Sequence, residues 1–166
     1  MLIVFGGLPG TGKTTIARAL AVRRGTVYLR IDVIEQALRS ANVLAGDAGA
    51  AGYVVANALA GSNLANGRDV VADCVNPVPE SRLGWRAAAA RAGTRLIEVE
   101  VICSDLKEHR RRVEQRVSDI EGLVPPTWQD VRSRNYVPWE EPHVVIDTAY
   151  LTPEEAVAVV EGAMRL

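Results

Sequence analysis

The stretch from Met1 to Thr15, MLIVFGGLPGTGKTT, restricts what this chain can fold into more than any other segment. A short apolar run, Leu2 to Phe5, feeds a glycine-rich turn. That turn, Gly7-Leu8-Pro9-Gly10-Thr11-Gly12-Lys13-Thr14, satisfies G-x-x-x-x-G-K-[ST] at every fixed position. Glycines take backbone angles closed to other residues, so successive N–H groups can converge on phosphate oxygens. Gly7, Leu8, Pro9, Gly10, Thr11 and Gly12 are therefore expected to wrap a polyphosphate. Lys13 is expected to reach its β- and γ-phosphates, Thr14 to place a hydroxyl on Mg²⁺, and Thr15 to touch the α-phosphate. The helix beginning at Lys13 points its N-terminal dipole at the same anion. Strand, loop and helix follow in the order the motif requires, which separates it from a chance match in a glycine-rich chain.

A chain of 166 residues is expected to form one domain, 1–166, large enough for a sound core. Hydrophobic residues make up 48% of it, which excludes a disordered chain. With a net charge of -1 there is no global basic field, which argues against duplex DNA as the main partner. Cys74 and Cys103 are the only cysteines and read as reduced core thiols. No apolar run reaches the roughly 18 residues of a spanning helix. The first strand begins at the N-terminus with no room for a leader, so a cytoplasmic location is expected.

Strand and helix patterns alternate along the chain. Thr14 to Arg24 follows a helical period and stops at Gly25. Thr26 to Ile31 reads as a strand ended by Asp32, with a short helix from Val33 to Arg39. Ser40 to Gly52 is small and polar and reads as a flexible connection. Helix Tyr53–Asn66, strand Asp69–Val75, helix Glu80–Ala92 and strand Thr94–Cys103 follow. Ser104 is the expected cap of a helix from Asp105 to Val117. After a loop from Ser118 to Pro126 come a capped helix from Thr127 and a strand from His143 to Asp147. Thr152, Pro153 and two glutamates open the last helix. The alternation predicts a parallel sheet covered on both faces and wound right-handedly.

Open α/β sheets bind ligands beyond the carboxyl ends of their strands. Strand two offers Asp32, suited to take a proton from a substrate hydroxyl or to hold that hydroxyl. The competing role is a helix N-cap. Strand three offers Asp73, suited to the surroundings of a metal ion or, alternatively, to a turn before Asn76-Pro77. The helix after strand four carries Arg112 and Arg116. Four residues apart, they would share one helix face and could clamp a phosphoryl group. The competing role there is a solvated basic face paired with Glu108 and Glu114. His109 and His143 read as structural. Trp85, Trp128 and Trp139 read as core or lid packing.

These residues together resemble the small P-loop kinases grouped with the zeta-toxin-like and AAA_33 ATP-binding proteins, over nearly the whole chain. The segment Ala72 to Trp85, ADCVNPVPESRLGW, is similar to its counterpart in the polynucleotide-kinase branch, and so is the Arg112-x-x-x-Arg116 spacing. The resemblance implies a P-loop three-layer α/β/α sandwich. Its five-stranded parallel sheet would run in the order 2-3-1-4-5, with a short lid at roughly 110–127. It implies Asp32 as general base and Lys13, Arg112 and Arg116 as further catalytic groups. It also implies that Trp139 to Pro142 and Asp147-Thr148-Ala149 lie beside the adenine. One departure is that Asp32-Val33-Ile34-Glu35 lacks the arginine that follows the base in nucleic-acid kinases; the nearest here is Arg39.

The expectation is an ATP- and Mg²⁺-dependent phosphotransferase, with magnesium placed by Thr14 and Asp73. A small hydroxyl-bearing molecule is the expected acceptor, contacted by Asp32, Arg39, Arg82 and the Ser40–Tyr53 segment. A nucleic-acid 5′-hydroxyl is the second possibility. A regulatory or toxin-like ATP-binding module is the alternative of another class. No Asn-Lys-x-Asp guanine motif is present, which counts against a GTPase.

Overall fold

The computed structural model describes residues 1–42 and 49–165. Five parallel strands lie in the order β2-β3-β1-β4-β5. They are β1 (Leu2–Gly6), β2 (Val27–Arg30), β3 (Val70–Asp73), β4 (Leu96–Ile102) and β5 (Val144–Asp147). The central strand β1 is LIVFG, with Leu2, Ile3, Val4 and Phe5 fully buried, because helices cover both of its faces. Ile3 and Phe5 face one core with Ile16, Leu20 and Val157; Leu2 and Val4 face the other with Ala56, Ala60 and Trp85. A period of two on β1 thus feeds two separate cores.

Seven helices complete the described chain: α1 (Lys13–Arg24), α2 (Ile31–Ser40), α3 (Ala51–Ala65), α4 (Pro79–Arg91), α5 (Leu106–Gln115), α6 (Trp128–Ser133) and α7 (Pro153–Arg165). Gly25 ends α1 in the left-handed region, where a β-carbon would be strained. Thr127 and Asp130 form a reciprocal capping box at α6. The same exchange joins Thr152 and Glu155 at α7.

Three boundaries differ from the sequence expectation, and each moves a candidate residue. Helix α2 begins at Ile31, directly on β2, so Asp32 lies in the first helical turn rather than at a strand end or a cap. The cap of α5 is Asp105, whose carboxylate accepts from Lys107 N and Glu108 N, in place of Ser104. Helix α5 stops at Gln115, and Arg116 is extended with φ −66° and ψ 128°. Arg112 and Arg116 therefore do not share a helix face. Of the expected Ser40–Gly52 connection, residues 43–48 lie outside the described chain, and Ala51 and Gly52 already belong to α3.

Candidate active site

The phosphate loop joins β1 to α1. Its helix cap is Gly12, with φ +93°, so no side chain can satisfy the leading N–H groups of α1. Those donors face the loop and suit an anion. The loop is held from its own side and from across the fold. Thr11 Oγ1 donates to Leu8 O at 2.9 Å, and the buried His109 places Nε2 2.8 Å from Pro9 O. Thr148 Oγ1 donates to Thr11 O at 2.8 Å. A β-carbon on Gly10, which has φ +85°, would lie 2.5 Å from Val113 Cγ2, so α5 packs directly on the glycine. His109, read from sequence as merely structural, is thus a support of the loop. A histidine a hundred residues away has no sequence signal for that role.

Lys13 is buried at 6% exposure. Its Nζ lies 3.5 Å from Leu8 O, a weak contact. Burial lowers its pKa below the ordinary lysine value, while the charges of Asp73 and Asp32 oppose the shift. A polyphosphate arriving at this ammonium would supply the missing countercharge.

One carboxylate, Asp32, comes from the first turn of α2 and the other, Asp73, from the end of β3, where it is the register partner of Arg30 at the end of β2. Asp73 is buried and accepts from Tyr28 Oη at 2.7 Å. Arg30 Nε lies 3.8 Å from Asp73 Oδ2, and Arg30 Nη2 lies 3.6 Å from Asp32 Oδ2. Arg116 Nη2 lies 3.9 Å from the same Asp32 oxygen. Asp119, on the segment beyond α5, pairs with both Arg18 and Arg30. Sequence reading missed Arg18, Arg30 and Asp119. Asp119 lies in a segment without periodic pattern, and Arg30 hides in an otherwise ordinary strand.

Three cavities line up along the loop. The smallest, about 190 Å³, is lined by Gly12, Thr15, Arg112, Thr148, Leu151 and Pro153. The middle one, about 400 Å³, gathers Lys13, Thr14, Thr15, Arg112 and Arg116 with Arg18, Arg30 and Asp119. The third, about 580 Å³, holds Asp32, Glu35, Arg39 and Tyr53, with Lys13 and Arg116 at its border to the second. Gly12, Thr15 and Arg112 line both the first and the second, and Lys13 and Arg116 both the second and the third, so the three adjoin; together they are called the trench. Arg112 fixes its narrow end by donating to Thr148 Oγ1 at 2.8 Å and to Glu108 Oε1 at 2.8 Å. Asp147 shapes the adjoining turn by accepting from Ser104 N and Ala149 N.

Other expected contacts fall elsewhere. Arg82 is buried beside α4's first turn, and its guanidinium donates to Asn76 O, Pro77 O, Val137 O and Pro138 O. It also stacks over Trp139, 4.6 Å from the ring centroid. A fork spent on four carbonyls is a staple, not an acceptor contact. Trp139 to Pro142 line none of the three cavities described. Arg110 and Arg111 point outward, paired with Glu114 and Glu108. Cys74 and Cys103 are both free and buried.

A parallel 2-3-1-4-5 sheet with a Walker-type loop after β1 defines a P-loop NTPase fold of the small-kinase kind. Solved structures share it. An inferred kinase from Chloroflexus aurantiacus J-10-fl superposes with a TM-score of 0.75 at 21% identity, over 99% of this chain and 95% of that one. The Mycobacterium tuberculosis APS kinase CysC in complex with AMPPNP and APS gives 0.69 at 20%, over 98% and 96%. A gluconokinase from Sinorhizobium meliloti 1021 gives 0.66 at 22%, over 98% and 91%. No curated protein matches the chain significantly. The AAA_33 family model, described as an AAA domain, matches residues 2–138, and the chain belongs to that family.

Proposed function

We propose that this protein is an ATP-dependent kinase that transfers the γ-phosphoryl group to a hydroxyl of a small-molecule acceptor. The observation that carries this reading is the single trench, in which the loop and Lys13 lie between a narrow pocket and a wider one. The base sits in the narrow pocket, between the Arg112 guanidinium and the Leu151–Pro153 turn. The triphosphate runs along the loop amides to Lys13. The acceptor occupies the wide pocket beside Asp32; the lack of an arginine directly after Asp32 and the net charge of -1 favour a metabolite over a polynucleotide. Residues 1–166 act as one domain, with the segment at roughly 110–127 as its lid.

Of the two expected magnesium donors, both hard oxygen ligands, Thr14 lines the middle cavity, while Asp73 is buried at the end of β3 and lines none of the three cavities. Thr14 would hold the ion directly and Asp73 through its outer shell. When bound, the ion neutralises charge on the β- and γ-oxygens. Asp32 accepts the acceptor's hydroxyl proton, the acceptor oxygen bonds to the γ-phosphorus, and the bond from that phosphorus to the β-bridging oxygen breaks. ADP leaves with the electron pair. Arg116, held beside Asp32, faces the charge that spreads over the transferring group, while Arg112 stays with the base.

The test is ATP consumption against a panel of hydroxyl-bearing metabolites. One or more acceptors should stimulate turnover, and Asp32→Ala should lower that turnover at least about a hundredfold, the usual scale for losing a positioned base. Stimulated turnover that survives in Asp32→Ala would remove the base assignment. The absence of any ATP-dependent transfer would favour a regulatory ATP-binding module.

A further inference from the structure

Arg30 is the least exposed guanidinium lining the middle cavity, with 3% of its side chain accessible. Its Nη1 donates to Asp119 at 2.8 and 3.0 Å. Its Nε is sealed from solvent and has no hydrogen-bond partner among the described residues. Asp73 is the nearest carboxylate to that nitrogen, at 3.8 Å, beyond hydrogen-bonding range. Arg18, reaching from α1, places Nη2 on the same Asp119 carboxylate. Two guanidinium groups from different elements thus grip one oxyanion within the cavity that contains Lys13, Thr14 and Thr15.

The two sides of this contact are unequal. Arg30 is fixed at the end of β2, opposite Asp73 in the sheet. Asp119 is 48% exposed, on the irregular segment after α5. Asp119 can leave; the Arg30 guanidinium cannot. Once it left, a buried guanidinium would have unsatisfied donors at Nη1 as well as Nε, a costly state without a replacement oxyanion. The position identifies the replacement. Arg30 Nη2 is 3.6 Å from Asp32, which lines the acceptor's cavity, and Arg30 itself lines the middle cavity with Lys13, Gly10 and Gly12 of the loop. An oxyanion here lies between the loop and the acceptor hydroxyl.

We propose that Arg18 and Arg30 form the receptor for the terminal phosphoryl group of ATP, and that the Asp119 carboxylate occupies this receptor until the nucleotide displaces it. The inference rests on the kinase reading and adds two ligands and a resident competitor to it. ADP, lacking the terminal group, has nothing to offer the receptor. Binding of ATP frees Asp119 and with it the segment that Asp119 ties down.

Calorimetric titration of the full chain with the β,γ-imido analogue of ATP and with ADP, both with magnesium, tests this. In Asp119→Asn the analogue should bind severalfold tighter while ADP affinity stays within about twofold, because only the analogue competes with the carboxylate. In Arg30→Met and Arg18→Met the analogue should weaken about tenfold or more, the scale of a lost charge-assisted hydrogen bond, and ADP should be little changed. If Arg30→Met fails to fold by circular dichroism, Arg18→Met and Asp119→Asn decide. An analogue-to-ADP ratio equal to wild type in those variants would overturn the receptor and leave the kinase reading intact. So would weaker analogue binding by Asp119→Asn. Wild-type protein that binds neither nucleotide would overturn both.

Discussion

Lys13 lies buried in the loop, and the charges of Asp73 and Asp32 act on its ammonium. Burial holds its pKa below the ordinary value, so the fold disfavours the charged form and the empty site bears a cost. Lys13→Met should therefore leave thermal stability unchanged or raise it, while removing stabilisation by ATP. In the wild type a hundredfold excess of ATP over Kd should add about 2.7 kcal/mol. Thermal unfolding with and without ATP checks this. A variant that loses stability without ligand, or still responds to ATP, would contradict the assignment. At this scale the loop residues were legible because their spacing is itself the chemistry. Arg30, Asp119 and His109 were not, because each acts through a partner more than 80 residues away in the chain.

Helix ends decided which candidates reach the trench. Helix α4 starts at Pro79, and its first turns carry Arg82 inward onto four carbonyls of two separate loops. Arg82→Ala should cost roughly 2–4 kcal/mol, since it strands buried acceptors. It should leave the acceptor's KM unchanged in whatever fraction folds. Denaturant unfolding together with steady-state kinetics separates the roles, and a raised KM at unchanged stability would return Arg82 to the substrate site. Element types and order were readable from alternating periodicities and from glycine and proline stops. The ends of α2 and α5 were not. Asp32 has the composition of a cap, yet Ile31 already takes helical geometry directly from β2. The apolar positions Val113 and Val117 suggested a longer α5, but the chain turns extended at Arg116. That turn separates Arg116 from Arg112 and sends it towards Asp32.

Across the whole molecule, the parallel sheet brings its functional groups to the carboxyl ends of its strands. The ends of β1, β2 and β3 supply the loop, the Asp32 turn and Asp73, while β4 and β5 lead into α5 and the Thr148 turn. The two cores on either side of β1 hold those ends in register. The strand order was anticipated only through the resemblance to small P-loop kinases, and the sheet has that order; the alternation of elements by itself foretold a parallel sheet and not its order. The joining of three cavities into a trench could not be anticipated, because Lys13, Arg112 and Arg116 meet only in the packed fold. Among the described residues no helix is long and apolar enough to cross a membrane.

On the proposed function, this trench holds a nucleoside triphosphate lengthwise. A crystal structure of the protein with a non-hydrolysable ATP analogue tests it most directly. The base should lie between Arg112 and Pro153, the phosphates on the loop amides and Lys13, and the terminal phosphorus should face Asp32. An analogue bound outside the trench, or with its phosphates away from Lys13, would contradict it.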